Sequence, residues 1–377
     1  MILRWILLCR ERRPRRSAIK TGVKYNLRNA EGGVPYKVNY KEVINFMKIA
    51  TLTLNPAVDR TMYCGKDVKI GALNRAVAPS VTTHGGKGTN VSCVFKLLGI
   101  ESTAYGFIGG DNGDLFMKLL EPFNINTDFT RTKCSTRMNI KVISENGEPT
   151  EFNEAGGPVE ACEKQELLEK IKKSVGRGDL DAPQSPADLF FMGGSIPPGV
   201  EKSIYRDIID LGGDKTKFII DCDGEALKLC MDNAKKPYMI KPNQFELEQY
   251  TGKSFDLDDN FDTALEEVKN EAKKIYDETG VIILCTLGEY GGLYCGPEGI
   301  YYQAAPKVEV KGFAGAGDTF LTAFAAKYFG LGDICAGDAK QSLIFAVAAS
   351  AAKVTKPGTE FAPAGEMTEM YERIAGL

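Results

Sequence analysis

The stretch Lys311-Gly-Phe-Ala-Gly-Ala-Gly-Asp318 couples a glycine-rich turn to a carboxylate. Small residues from Ala314 to Gly317 let the backbone turn tightly with its N–H groups outward. The apolar residues that follow, Phe320, Leu321, Phe324, Ala325 and Tyr328, have helical spacing. A glycine turn that opens a helix attracts anions, because free N–H groups and the helix dipole both favour negative charge. Gly315, Ala316 and Gly317 are therefore candidate anion-binding positions. Asp318 beside them is suited to take a proton from a hydroxyl as a phosphoryl group arrives. Taken alone, the motif reads equally as an N-cap aspartate after a turn. No G-x-x-x-x-G-K-[ST] run occurs, which excludes a P-loop phosphate site.

A second stretch, His84-Gly-Gly-Lys-Gly-Thr-Asn90, also opens a helix. Gly85 and Gly86 allow close approach of backbone to a ligand. Lys87 adds a cation, and the Asn90 amide can donate and accept at sugar hydroxyls. A strand–helix turn with an exposed lysine is the plainer alternative, and His84 reads as a loop histidine. A third stretch runs from Thr51 to Asp59, where a strand ends and an acid follows. Ligands of open α/β sheets bind at the carboxyl ends of strands, and a carboxylate there can accept from two adjacent hydroxyls. Fourth, Thr136-Arg-Met-Asn-Ile-Lys places Arg137 where it can grip a phosphate by two parallel bonds, or simply decorate a hairpin. Fifth, in Lys241-Pro-Asn-Gln-Phe-Glu246, Pro242 ends a strand and Asn243 and Glu246 share a helix face. They fit either Mg²⁺ held through waters or a helix cap with its capping-box partner. Sixth, Thr286-Leu-Gly-Glu-Tyr-Gly-Gly-Leu ends a strand in a glycine turn, consistent with the edge of a nucleotide.

Elements able to position these residues are legible. Short apolar runs at Ile49–Leu54, Ala104–Ile108, Leu189–Met192, Phe218–Asp221, Tyr238–Ile240 and Ile282–Thr286 read as strands. Helical patterns lie at Asn90–Leu98, Leu115–Glu121, Glu160–Val175, Lys202–Leu211, Asp262–Glu278 and Asp338–Val354. Their alternation predicts an α/β fold with a mainly parallel sheet covered on both faces. Two stretches, 59–81 and 137–152, alternate apolar and polar residues instead. The second reads as a hairpin turning at Asn146-Gly147. Together they predict a small β-sheet lid standing off the main domain, able to cover a site or pair with a second copy.

Composition excludes several classes of function. The 377 residues carry 47 Lys and Arg against 50 Asp and Glu, so a net charge of −3 argues against a nucleic-acid binder. A single histidine excludes sites that need several imidazoles. Ten cysteines without C-x-x-C spacing fit reduced thiols in the cytoplasm better than a disulfide framework. No apolar run reaches the roughly 18 residues of a membrane span. Residues 1–46 differ from the rest: eleven basic residues against three acids give +8, leaving −11 for the remainder. This basic segment is expected to stand outside a folded domain at 47–377.

In order, the six stretches resemble the ribokinase-like PfkB carbohydrate kinases over nearly all of residues 47–370. The resemblance implies a three-layer α/β/α sandwich with a β lid, and ATP-dependent phosphorylation of a sugar monophosphate with Mg²⁺. Within the family the motifs look most like those of kinases that convert fructose 1-phosphate to fructose 1,6-bisphosphate. Kinases of tagatose 6-phosphate or fructose 6-phosphate are the alternatives, and a non-catalytic sugar-phosphate-binding regulator is the alternative from another class. By resemblance, Asp318 is the catalytic base and the Gly315–Gly317 backbone is the anion hole. Asp59, Gly85, Gly86, Asn90 and Asn139 contact the sugar. Arg137, with Lys87, grips its phosphate. Lys241, Asn243 and Glu246 serve nucleotide and Mg²⁺, and Thr286, Gly288 and Gly291 flank the nucleotide. The lid of such kinases often forms a dimer contact, so a homodimer is expected. The run Gly312-Phe-Ala before the final glycines and Thr319 after the aspartate depart mildly from the family pattern.

Overall fold

Strand β8 (Leu189–Gly193) is buried along its whole length. Leu189 and Phe191 face one apolar layer, and Phe190 and Met192 face the other. A strand this apolar on both sides is stable only between two layers of helices. The computed structural model supplies them. It describes residues 47–144, 149–175 and 187–376, within the second of two units, 1–46 and 47–377. The expectation for residues 1–46 and the turn at Asn146-Gly147 lie outside the described residues.

The main sheet has nine strands. Beside β8 run β1 (Ile49–Thr53), β4 (Thr103–Gly109) and β5 (Asn126–Thr132) on one side. On the other run β9 (Lys217–Asp221), β10 (Met239–Ile240), β11 (Ile282–Thr286), β12 (Gly292–Gly296) and β13 (Gly299–Gln303). All pairings are parallel except β11 with β12 and β12 with β13. The carboxyl ends of β1, β8 and β9 therefore lie side by side, with Thr53 paired to Gly193 and Gly193 to Asp221.

One face is covered by α3 (Ala161–Val175), α4 (Ile204–Leu211), α5 (Gly224–Asp232), α6 (Gln244–Thr251) and α7 (Phe261–Thr279), through residues such as Ile171, Ile208, Leu227, Leu247 and Val268. The opposite face is covered by α1 (Lys87–Leu97), α8 (Ala316–Phe329) and α9 (Ala339–Val354), through Phe95, Phe320, Phe324 and Val347. Truncating a fully buried ring such as Phe324 would cost about 3–5 kcal/mol. Helices α2 (Gly110–Leu120) and α10 (Ala364–Ala375) close a third apolar cluster around Phe116 and Phe361.

A separate four-stranded sheet forms the lid, in the order β3 (Val81–Gly85), β2 (Ala57–Tyr63), β6 (Arg137–Ile143), β7 (Pro149–Asn153). The first lid segment differs from its predicted bounds. Its strands occupy 57–63 and 81–85, and the stretch between them carries turns and one bridge, Cys64 to Ala76. Asp59 consequently lies inside β2, on the lid, and not at the carboxyl end of β1. Asn55-Pro56 interrupts the chain between the two strands, so the acid belongs to the second.

The six predicted strands and six predicted helices all fall on observed elements. Unpredicted are β5, whose polar alternation marks an edge strand, the β12–β13 hairpin, whose glycines read as a turn, and helices α5 and α10.

Candidate active site

Helix α8 begins at Ala316 because Gly315, with φ of 82°, adopts the left-handed conformation at its N-cap. A Cβ on Gly315 would press on the Phe361 ring at 2.9 Å. The Ala316 N–H donates to Phe313 O at 3.0 Å. The next N–H groups, of Gly317 and Asp318, belong to the first helical turn, which lacks carbonyls four residues back. They form the positive end of α8.

Asp318 is buried in that turn. Its Oδ2 accepts from Asn90 Nδ2 at 2.7 Å. Asn90 is fixed by the start of α1: Thr53 Oγ1, at the end of β1, accepts from Thr89 N at 2.8 Å and lies 3.1 Å from Thr89 Oγ1. Gly88 is obligatory there, since its Cβ would fall 2.4 Å from Leu52 O. Burial pushes the Asp318 carboxyl up to about 6, aided by the negative charge of Asp221 and opposed by Asn90, Lys87 and Lys241.

Asp221, the last residue of β9, balances the cations of the site. It accepts from Lys87 Nζ at 2.7 Å and pairs with Lys241 Nζ at 3.2 Å. Burial disfavours its charge, but Lys241 and Lys87 outweigh burial and hold it below the usual carboxylate range. Burial likewise opposes the Lys87 charge, and Asp221 and Glu246 more than offset it. Glu246 Oε1 lies 3.4 Å from Lys87 Nζ. A Cβ on Gly317 would sit 3.5 Å from Lys241 Nζ, so that ammonium borders the start of α8.

Asn243 and Glu246 form the capping box that opens α6. Asn243 Oδ1 accepts from Glu246 N at 2.8 Å, and Glu246 Oε2 accepts from Asn243 N at 2.8 Å. The turn with Thr286 stands against this segment, because Thr286 N donates to Pro242 O at 3.0 Å and bridges Asn243. Gly288 and Gly291, with φ of 57° and 109°, close it around the Leu287 N–H to Gly291 O bond.

A second group belongs to the lid. Asp59 Oδ1 accepts from Asn139 Nδ2 at 2.8 Å across the paired strands β2 and β6. Burial raises the Asp59 carboxyl, against Asn139 and Arg137. A Cβ on Gly85 would fall 2.3 Å from Asp59 Oδ2, so any larger residue there would displace that carboxylate. Gly86 has φ of 140°, and its Cβ would strike Thr53. Asn90 Oδ1 and Asn139 Oδ1 are both buried without a hydrogen-bond partner.

Arg137 donates from Nε to Asn55 O at 3.1 Å and from Nη1 to Glu154 O at 2.9 Å. It lines a cavity of about 380 Å³ with Asn55, Ser195, Pro197, Pro198 and Lys202. Lys87 is not among the lining residues. Its ammonium pairs instead with Asp221 and Glu246, beside Asp318. His84 is also not a loop residue. It lies in β3 with its ring buried against Phe116, Phe123 and Phe361, and burial lowers it to about 4.

The sequence reading missed Asp221 and the cavity residues Asn55, Ser195 and Lys202. Asp221 was available from the strand-end argument applied to Phe218–Asp221. Ser195 follows β8 in Gly194-Ser-Ile-Pro-Pro-Gly, and Lys202 carries no local signal.

A mainly parallel sheet with a carboxylate at the end of β9, a glycine turn opening a helix that carries a second one, and a separate lid sheet define a small-molecule kinase fold. The sequence pattern described as pfkB family carbohydrate kinase matches residues 52–364, and the chain belongs to that family. It is 32% identical to a 1-phosphofructokinase of Borreliella burgdorferi over 277 residues, 73% of this chain and 83% of the relative. It is 29% identical to the 1-phosphofructokinase of Escherichia coli K12 over 331 residues, 87% of this chain and 97% of the relative. The crystal structure of E. coli phosphofructokinase-2 in complex with substrates and products matches with a TM-score of 0.74 at 25% identity, covering 87% of this chain and 99% of that one.

Proposed function

We propose that this chain transfers the γ-phosphoryl group of ATP to the free primary hydroxyl of fructose 1-phosphate, giving fructose 1,6-bisphosphate. The observation that carries the reading is Asp318, buried at the positive end of α8, oriented by Asn90 and raised toward neutrality. A carboxylate so placed accepts the hydroxyl proton as the oxygen attacks in line. The Gly317 and Asp318 N–H groups, with Lys87 and Lys241, offset the charge that develops on the transferred group. Asp221 keeps both ammonium groups in place. Asp59, Asn139 and Asn90 hold the sugar hydroxyls, and Arg137 with Lys202 holds the phosphate already present. The lid excludes water, which limits ATP hydrolysis.

Among the described residues no three acidic, cysteine or histidine side chains converge as a metal cage. Asn243 and Glu246 each already engage the other's backbone. This donor set fits a Mg²⁺ ion that keeps most of its waters, which Asn243 and Glu246, with Asp221 nearby, would hold through those waters. When bound, the ion supplies charge neutralisation on the phosphate oxygens.

The nine described cysteines are all free, which suits a reducing cytoplasm. No described helix is long and apolar enough to cross a membrane. The lid exposes Ile70, Leu73, Val77, Val81 and Phe152, an apolar set suited to a homodimer contact.

The deciding experiment compares kcat/KM on fructose 1-phosphate, fructose 6-phosphate and tagatose 6-phosphate in an ADP-release assay. The highest value on fructose 1-phosphate supports the reading. A higher value on another sugar replaces the substrate, and no ATP turnover with any of them removes the enzyme in favour of a binding protein.

A further inference from the structure

Lys353 is fully buried near the end of α9, yet no carboxylate lies within ion-pair distance of it among the described residues. Its Nζ donates instead to two backbone carbonyls, Gly358 O at 2.8 Å and Gly312 O at 3.4 Å. These belong to two different loops. Gly312 precedes the glycine turn of α8, and Gly358 follows α9. The loops touch closely, since a Cβ on Gly312 would fall 2.6 Å from Gly358 N. Above them sits Gly315, whose Cβ would lie 3.7 Å from Lys353 Cε. The ammonium thus lies directly beneath the turn that opens α8.

Burying a cation without a carboxylate partner is costly. Burial indeed lowers the Lys353 amine to about 8, with Glu360 attracting and Lys141 repelling its charge. An apolar side chain would fill the same space at lower cost. The charge therefore calls for a reason, and its neighbours supply one. Carbonyls drawn toward an ammonium turn their negative ends away from the start of α8, where an anion must bind.

We infer that Lys353 is a positioning residue for phosphoryl transfer: its ammonium pins the carbonyls of Gly312 and Gly358 beneath the Gly315 turn, which keeps the N–H groups opening α8 aimed at the transferring phosphoryl group. The inference rests on the kinase reading above and deepens it. The bonds of Lys353 go to loop carbonyls behind the glycine turn and not to the residues proposed to hold the sugar, so its loss is expected to fall on kcat. A displacement of the cradle by an ångström can cost up to about a hundredfold.

The test measures Lys353→Met and Lys353→Ala beside the wild type, with kcat and KM for fructose 1-phosphate and a thermal melt. Expected are a kcat lowered at least about tenfold, a sugar KM changed less than about threefold, and a cooperative melt. Ammonium chloride should restore part of the Lys353→Ala activity by filling the vacated space. Tetramethylammonium chloride, too large for it, should not. A folded Lys353→Met with wild-type kcat overturns the inference, as does a loss confined to KM or a rescue that both salts give equally. Failure of both variants to fold overturns it too, by making Lys353 a folding residue. Wild-type protein inactive on every phosphosugar would sink the kinase reading itself, a result distinct from each of these.

Discussion

Replacing Asp318 with Asn should separate chemistry from stability, in opposite directions. The carboxyl is held near 6 in the folded protein against an ordinary 3.8, chiefly by burial. Below pH 4 both folded and unfolded chains carry the proton, and the group costs nothing. Between about pH 4 and 6 the folded state keeps a proton that the unfolded chain has released. The penalty therefore grows as pH rises through that window and is complete above it. About two units at about 1.4 kcal/mol each make it about 3 kcal/mol at neutral pH. Asparagine removes the charge and keeps an oxygen for the Asn90 amide. Urea melts at pH 8 should show the variant stabilised by about 1–3 kcal/mol, with the gain shrinking toward pH 4. Turnover should fall by about 10²–10⁴, the usual contribution of a general base. In the wild type, kcat/KM should rise with pH up to about 6 and then level, because only the ionised carboxylate accepts a proton. A variant with kcat within tenfold of wild type would refute the assignment of the base. One no more stable than wild type at pH 8 would refute the claim that Asp318 is held ionised against its environment.

Other perturbations address the sugar end and the lid. Arg137→Ala should raise the KM for fructose 1-phosphate about ten- to hundredfold at little changed kcat, from one lost charged hydrogen bond of about 1.5–3 kcal/mol; an unmoved KM places the phosphate away from the 380 Å³ cavity. Gly85→Ala puts a methyl group 2.3 Å from Asp59 Oδ2, so kcat/KM for the sugar should drop while the KM for ATP holds, and equal kinetics would deny Asp59 a sugar contact. Ile70→Lys with Leu73→Lys charges the exposed lid face and should convert a dimer to monomers in sedimentation velocity. A wild type that sediments as a monomer would remove the lid contact.

The central fold was legible because its strands are apolar on both faces. Runs such as Leu189–Met192 have no other stable home than a covered sheet. The edges were not legible for the complementary reason. Asn126–Thr132 is polar enough to read as loop, and Gly292-Leu-Tyr-Cys-Gly looks like punctuation although it pairs on both sides. Asp59 reads both as the acid after the first strand and as the start of the lid stretch, and the second placement is the one the structure shows. Asn55-Pro56 separates two strands that belong to different sheets, and strand-end logic assigned the acid to the wrong one.

The site shows a sharper limit. Motifs mark backbone demands well, because a glycine turn has few alternative explanations. They mark charge balance poorly. Asp318 and Asp221 are both buried acids bordering the same two lysines, yet burial dominates one and the ammonium groups dominate the other. Nothing in the sequence around either residue encodes that difference. It arises because β9 ends where α1 and the segment after β10 bring in Lys87 and Lys241, while α8 brings Asp318 to Asn90. Lys87 illustrates the same point: its glycine-rich neighbourhood predicts an anion-facing cation, and only the assembled sheet decides that its first anion is Asp221. A ligand phosphate must therefore compete with, or join, an existing ion pair. A cation already neutralised by Asp221 attracts a stable ground-state anion weakly. It answers more strongly where extra negative charge develops, as on a phosphoryl group in transfer.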